Sequence, residues 1–364
     1  MKKKRVLVGM SGGVDSSVTA ALLKDLDYDV IGVSMQIWPG NNNNDNNVKS
    51  KNINSCFGPD EEKDLSEAER IADLLNIPFH IIDLKNEYKE LVLSYFSSEY
   101  LNGRTPNPCI ICNAKMKFDL LLKKSRDMEI DFDYFSTGHY VRSEYDGQLK
   151  RFILKKAFDL VKDQSYFLYR LKQEQLEKCL FPLGKYLKSE IKNIALEKNF
   201  GLETKKESQD FYSGDYSELL DSKKSPGKIV LTNGKVLGQH QGIFNYTIGQ
   251  RKGLGISYGE PLYVIEIDKC QNKIVVGTES DLFRKELIAE NLNWVSIASL
   301  QNELDVKAKI RYQHKETPAR LIPQNDGDAK VVFQIPQKAV TPGQSIVFYQ
   351  DDVMLGGGII RSAS

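Results

Sequence analysis

Short apolar runs, each stopped by glycine or a polar cluster, alternate through the first half of the chain with longer segments whose apolar positions recur at helical spacing. Val6, Leu7 and Val8 read as a buried strand, and Ser16 to Leu23 open a mostly apolar helix suited to packing on a sheet. Val30 to Met35 is a second buried strand. Leu65, Ala68, Ala72 and Leu75 mark one face of a helix within Asp60 to Leu75, and Phe79 to Leu84 and Phe132 to Ser136 are further strands. This alternation predicts an α/β fold, a doubly wound parallel sheet that binds ligands at the carboxyl edge of its strands. Between the second strand and the helix lies a polar tract, Asn41 to Asn54, dominated by asparagine and predicted to be a surface loop.

Past Glu207 the pattern changes: glycine and proline become frequent, and short alternating segments replace long helical ones. Lys228 to Gly238 and Gly253 to Gly277 predict a small β-rich middle domain with Gln250, Arg251 and Lys252 on a basic edge. Val306 to Tyr312, Val331 to Ile335 and Ile346 to Tyr349 read as strands that a small C-terminal β-barrel would close. The expected domains are residues 1–217, 218–284 and 285–364.

The first strand ends in VLVGMSGGVDSS, where Gly12 and Gly13 allow successive N–H groups to converge on one point at a helix N-terminus. An anion suits that point. The Gly-Lys-Ser/Thr ending of a Walker A loop is absent, so no lysine of the loop itself reaches a terminal phosphate. SGGVDSS instead resembles the PP-loop of the ATP pyrophosphatases, which cleave ATP between its α- and β-phosphates and transfer AMP to a substrate oxygen. In that resemblance the loop holds the departing pyrophosphate, and Asp15 orients Mg²⁺ or the loop.

Composition adds limits. A chain of 364 residues has room for about two or three domains. Lys+Arg 50 against Asp+Glu 49 leaves a formal net charge of +1, so overall charge does not announce a nucleic-acid partner, although a local basic face is enough to meet phosphates. The basic start MKKKR runs into the glycine loop rather than a leader-like apolar stretch, and no segment is long and apolar enough to span a membrane. Few cysteines, without disulfide-like density, predict a reducing cytoplasm. His80, His139, His240 and His314 have no metal-ligand spacing.

The second concentration of unusual residues is GRTPNPCIICN. Pro106 and Pro108 stiffen the approach to Cys109-Ile110-Ile111-Cys112, a CxxC that serves either thiol exchange or metal and cluster ligation. Farther along, Arg311, Tyr312, His314 and Lys315 set positive charge beside an aromatic ring, a mix that suits RNA.

The PP-loop, GRTPNPCIICN, STGHY, KDQSYFLYRL, ESQDF, YTIGQRKGLGI and TPGQSIVFY together resemble the tRNA-specific 2-thiouridylase (MnmA) family, in family order over nearly the whole chain. The resemblance implies an enzyme that uses ATP and Mg²⁺ to adenylate the wobble uridine (position 34) of tRNAs for Lys, Glu and Gln, then replaces the C2 oxygen with sulfur. It implies nucleotide contacts at Gly9, Met10, Ser11, Gly12, Gly13, Val14, Asp15, Ser16, Met35 and Gly138, and target-base contacts at Asn107, Pro108 and Cys109. Contacts with tRNA fall on Lys162, Asp163, Gln164, Arg311 and Tyr312, and the nucleophile on Cys112. Sulfur would come from a cysteine desulfurase, a relay protein or inorganic sulfide.

One departure stands out. Where the persulfide-type enzymes carry a second catalytic cysteine, this chain has Tyr212, and where they have an aspartate it has Cys109. Two readings follow. Cys56, Cys109 and Cys112 hold a [4Fe–4S] cluster with one open iron, or Cys112 carries a persulfide that Cys109 resolves, with Cys56 idle. Outside this family, a PP-loop synthetase acting on a small metabolite and a non-catalytic RNA-binding protein share some of these features.

Overall fold

The computed structural model describes residues 3–40, 55–202, 204, 205, 207, 210–212, 214–220 and 225–364. The asparagine-rich tract and part of the ESQDF segment lie outside the described residues. The chain forms two compact units. One is Met1–Val92, Cys109–Tyr216 and Asp352–Met354; the other is Leu93–Pro108, Ser217–Asp351 and Leu355–Ser364.

In the first unit, strands β1 (Arg5–Gly9), β2 (Asp29–Gln36), β4 (Phe79–Asp83), β5 (Tyr134–Thr137) and β8 (Cys179–Leu180) form a parallel sheet in the order β4-β2-β1-β5-β8. β1 lies at its centre, as its continuous apolar run requires when both faces are covered. Val6 and Val8 share one face by the two-residue period of a strand. They pack with Val18 and Ala21 of α1 (Val14–Asp25), Ile71 and Ala72 of α2 (Glu61–Leu75), and Ile191 and Ala195 of α3 (Lys188–Glu197). α2 stops at Asn76, whose φ of 49° is the left-handed conformation that commonly ends helices. α1 begins at Val14, two residues ahead of the expected start, because Gly13 is already extended at its N-cap.

Two smaller features complete this unit. β6 (Val141–Asp146) and β7 (Arg151–Lys156) form a hairpin, with Lys155 and Leu154 paired to Val353 and Met354. The short strand β3 (Ser55–Phe57) pairs in parallel with β9 (Asp210–Tyr212), bringing Phe57 beside Tyr212.

In the second unit, β10 (Gly227–Leu231), β11 (Val236–His240), β12 (Tyr263–Asp268) and β13 (Lys273–Gly277) make a sheet in the order β11-β10-β13-β12. It covers an apolar core that includes Ile229, Val264, Ile274 and Val276. β14 (Phe283–Trp294), β15 (Leu304–Lys309), β16 (Thr317–Pro323), β17 (Ala329–Lys338), β18 (Ser345–Gln350) and β19 (Val353–Ala363) follow one another as β14-β17-β16-β15-β18-β19, and β19 pairs back to β14. That pairing closes the barrel and leaves no open edge. The strand expected from Val306 to Tyr312 stops at Lys309, so Arg311 and Tyr312 lie in the following turn rather than on a strand face. Among the described residues no helix is long and apolar enough to cross a membrane.

Candidate active site

The loop after β1 has the geometry of an anion cradle. Gly12 has a φ of 68°, and a Cβ there would lie 2.2 Å from the Asp64 carbonyl oxygen, so neither conformation nor space admits another residue. No side chain caps α1 at Gly13. The Ser16 hydroxyl, 3.1 Å from the Ser11 N–H and 3.2 Å from the Gly13 carbonyl, ties the loop to itself. Val14 is buried, so what it offers an anion is backbone, whereas the Met10 N–H already donates to the Val33 carbonyl at 2.8 Å and the Met10 carbonyl accepts from the Ser34 hydroxyl. Gly138 backs the loop: a Cβ there would lie 2.8 Å from Ser16 N and 2.9 Å from Asp15 C. Met35 is half-buried near the carboxyl end of β2.

Two lysines that the motif itself does not contain arrive at this loop from far along the chain. Lys188, at the start of α3, donates to both Asp15 carboxylate oxygens at 2.7 and 2.8 Å and also meets Glu207 at 2.7 Å. Its side chain is only 12% exposed and that of Asp15 26%, so this pair is less screened than a surface one, while Glu207 is 47% exposed. Tyr140 donates its hydroxyl to Asp15 at 2.7 Å; burial first, and Asp15 second, push that phenol well above its ordinary pKa. Lys162 also holds Glu207, at 2.8 Å. Burial opposes the Glu207 charge, yet the two lysine hydrogen bonds outweigh it and keep this carboxyl below its ordinary range. Lys205 donates to the Gly12 carbonyl at 2.9 Å and pairs with Asp64 at 2.6 Å. Sequence inspection missed Lys188 and Lys205, since neither lies in a recognisable spacing from the glycines.

The thiols form the second focus. Pro108 starts a helical turn, Pro108–Ile111, that carries Cys109, and Cys112 opens a π-helical segment, Cys112–Leu120. The i→i+5 repeat of that segment swings Lys117 to the Cys112 side, where α-helical pitch would turn it roughly 140° away. Cys109 and Cys112 are half-buried. Burial first, then Cys56 and Cys112, push the Cys109 thiol up to about 12. Burial pushes Cys112 up to about 11, with Lys117 opposing. Burial also works against the Lys117 charge, but the three thiols outweigh it and Lys117 stays protonated. Cys56, on β3, is exposed. Beneath them Phe57 stacks on Tyr88 at 5.2 Å and meets Tyr212 at 6.0 Å.

Although these cysteines are electrostatic neighbours, among the described residues no group of three or more His, Cys, Asp or Glu side chains is arranged to hold a metal ion. The arrangement of Cys56, Cys109 and Cys112 is therefore not that of a ready metal centre, and no step below is routed through one. Cys179 is buried on β8, and Cys270, in the second unit, is exposed.

His139 joins the two foci. It follows Gly138 at the end of β5, its Nδ1 lies 2.7 Å from Thr137 Oγ1, and burial first and Lys117 second lower it to about 3 from an ordinary 6.5. The unfolded chain takes up this proton below about 6.5, whereas the folded chain resists until about 3. The stability held by neutral His139 is therefore complete above 6.5 and drains away as pH falls toward 3. The unfolding temperature of the parent protein is expected to drop more steeply below pH 6.5 than that of His139→Gln; parallel slopes would show that His139 is not held neutral.

Other expected residues are distributed more widely. Asn107 is half-buried and Pro108 buried in the second unit. Asp163 is buried, its carboxylate accepting from the Ala157 and Ser165 N–H groups at 3.0 and 3.3 Å and from the Ser165 hydroxyl at 2.8 Å, so it holds a turn. Gln164 accepts from the Tyr140 N–H at 3.0 Å. In the second unit, Arg311 donates to the Lys338 and Ala339 carbonyls at 3.1 and 2.6 Å, and Lys309 lies over the Tyr312 ring at 5.5 Å.

Comparison with known proteins covers the chain almost end to end. Residues 4–212 match a family described as the tRNA methyl transferase HUP domain, 219–278 its PRC-barrel domain, and 284–360 an aminomethyltransferase beta-barrel domain. The tRNA-specific 2-thiouridylase MnmA of Endomicrobium trichonymphae is 48% identical over 361 residues, covering 98% of each chain. That of Acetivibrio thermocellus is 45% identical over 368 residues, covering 99% of this chain and 100% of its own. With this identity sustained through all three matched regions, the chain belongs to the tRNA-specific 2-thiouridylase MnmA family.

Proposed function

We propose that this chain is a tRNA-uridine 2-sulfurtransferase that converts the wobble uridine to 2-thiouridine at the cost of ATP, releasing AMP and pyrophosphate. The observation that carries the reading is the continuity, inside one unit, from the phosphate loop through Gly138 and His139 to Lys117 and the thiols. A cradle for a leaving polyphosphate and a store of sulfur nucleophiles are what replacement of a carbonyl oxygen by sulfur requires.

The uracil C2 oxygen is a poor leaving group, and transfer of AMP to it turns it into a departing phosphate ester. Backbone N–H groups from Gly12 to Ser16, with Lys205 beside Gly12, stabilise the charge that develops on pyrophosphate. Asp15 suits Mg²⁺, which takes one or two carboxylates plus substrate phosphates and would neutralise the same charge. Lys188 already supplies a positive charge at that carboxylate. Asn107, Pro108 and Cys109 address the splayed base, while Lys162, Gln164, Arg311 and Tyr312 address the tRNA. The domains divide this work as catalytic residues 1–217, a middle domain 218–284 and a tRNA-holding barrel 285–364, in the cytoplasm.

Sulfur transfer is assigned to the Cys112 pair. The outer sulfur of a Cys112 persulfide, loaded by a cysteine desulfurase or relay protein, attacks C2 and expels AMP. Cys109 then attacks the Cys112 sulfur, releasing 2-thiouridine and leaving a Cys109–Cys112 disulfide for an external thiol to reduce. Tyr212 cannot take part in such a relay. The other reading of the sequence, a [4Fe–4S] cluster that Cys56, Cys109 and Cys112 would hold, is motivated by the loss of the usual second cysteine at Tyr212 but does not match the arrangement of these side chains.

Anaerobically purified protein is expected to release pyrophosphate from ATP only with tRNA bearing an unmodified wobble uridine, most readily the Lys, Glu and Gln acceptors, and to yield 2-thiouridine by mass spectrometry of nucleosides. Pyrophosphate release driven by a free metabolite, or failure to bind ATP with Mg²⁺, overturns the reading. Stoichiometric iron and sulfide in the active protein would move the sulfur step to the cluster.

A further inference from the structure

The TPGQSIVFY segment has no role in the chemistry above, yet it is bonded to the loop that offers the target-base residues. We propose that Gln344, with Gly343, is a positioning residue: the barrel clamps residues 104–106 and thereby sets Asn107 and Pro108 for the base. The inference rests on the proposed function, in which Asn107 and Pro108 meet the wobble uridine.

The loop needs an external clamp because of its own sequence. Pro106 and Pro108 lack N–H groups and hold their neighbours extended, so the loop cannot satisfy its carbonyls by turning on itself. Gln344 supplies the missing donor. Its Nε2 lies 3.2 Å from the Thr105 carbonyl and 3.0 Å from that of Pro106, and the Thr105 N–H donates to the Pro342 carbonyl at 2.9 Å. Gly343 makes the approach possible. Its φ is 91°, and a Cβ there would lie 2.8 Å from Thr105 O, 2.9 Å from Thr105 N and 3.0 Å from Arg104 Cβ.

The clamp itself is rigid. The Gly343 N–H donates to the Ile360 carbonyl at 2.9 Å and the Ile360 N–H to the Gln344 carbonyl at 2.8 Å, which fixes this turn to β19. Arg104 grips the loop from the other side, bonding Glu99 of the helix Ser94–Leu101 and Glu290 of β14 at 2.8 Å each. Every one of these contacts lies within the second unit. A base-binding loop pinned at Thr105 and Pro106 leaves Asn107 little freedom, and small displacements of such residues cost rate rather than affinity.

The test compares Gln344→Met, which keeps the bulk and removes the donor, with Gly343→Ala and Asn107→Ala in the full-length protein. ATP binding, tRNA binding, unfolding temperature and single-turnover thiolation are measured for each. Gln344→Met is expected to slow turnover about tenfold while KM for tRNA and ATP affinity stay within about twofold. In the Asn107→Ala background the same change is expected to add almost nothing, because both act through one element. Wild-type turnover in Gln344→Met, a loss traceable to weaker tRNA binding, or full additivity with Asn107→Ala overturns the clamp while leaving the proposed function intact. Full turnover in Asn107→Ala overturns the base-contact assignment and the clamp with it. If Gly343→Ala fails to fold, the Gln344→Met cycle decides alone.

Discussion

Replacing Cys112 by serine is expected to lower 2-thiouridine formation by roughly three orders of magnitude or more, while ATP still binds. The reasoning is geometric as much as chemical. Cys112 is the thiol that shares a π-helical face with the Lys117 ammonium, which opposes the effect of burial and favours the thiolate form. Serine keeps the size of the side chain and the helix but cannot carry a transferable sulfur. Tyr212→Phe supplies the contrast: Tyr212 is only 4% exposed, packed against Phe57 and Phe211, and its replacement is expected to leave turnover within about twofold. Nucleoside mass spectrometry after a single turnover reads both. Thiolation surviving in Cys112→Ser would remove Cys112 as the carrier.

Nucleotide affinity is expected to fall about thirtyfold in Lys188→Met, corresponding to roughly 2 kcal/mol. Removing this ammonium leaves Asp15 and Glu207 without the cation they share, in the place where a polyphosphate must enter. The Tyr140 hydroxyl still donates to Asp15 but carries no charge to offset it. Glu207→Gln is expected to cost less, since Lys188 then keeps Asp15 and loses only its weaker partner. Calorimetric titration with Mg·ATP measures both variants. An affinity unchanged by Lys188→Met would show that the lysine serves folding alone.

The main architecture was legible because the signals that specify it are local. The apolar strand, the glycine pair and the apolar helix opening of Val6 to Leu23 occupy one short window, and they fold as β1, the loop and α1, the helix starting two residues earlier than expected. The α2 face at Ala68, Ala72 and Leu75 is buried as its spacing predicts. The error at the end of β15 has a non-local cause. Ile310 to Tyr312 are as strand-like as the residues before them, but the chain turns so that Arg311 can donate to the Lys338 and Ala339 carbonyls, and no pattern in the sequence encodes that bond.

By itself, the order of residues determined the phosphate loop, the CxxC, the replacement of the second family cysteine by Tyr212, and the succession of a parallel sheet, a β-rich middle region and a barrel. These depend on period, glycine freedom and proline stiffness, all properties of neighbours along the chain. Only the tertiary structure decided which charges and donors reach those motifs. Lys188 meets Asp15 across 173 positions, Lys205 meets Gly12 across 193, and Gln344 meets Thr105 across 239. Such pairings depend on where sheet topology and barrel closure bring distant side chains, and Lys117 faces Cys112 only because the helix there widens to a π turn.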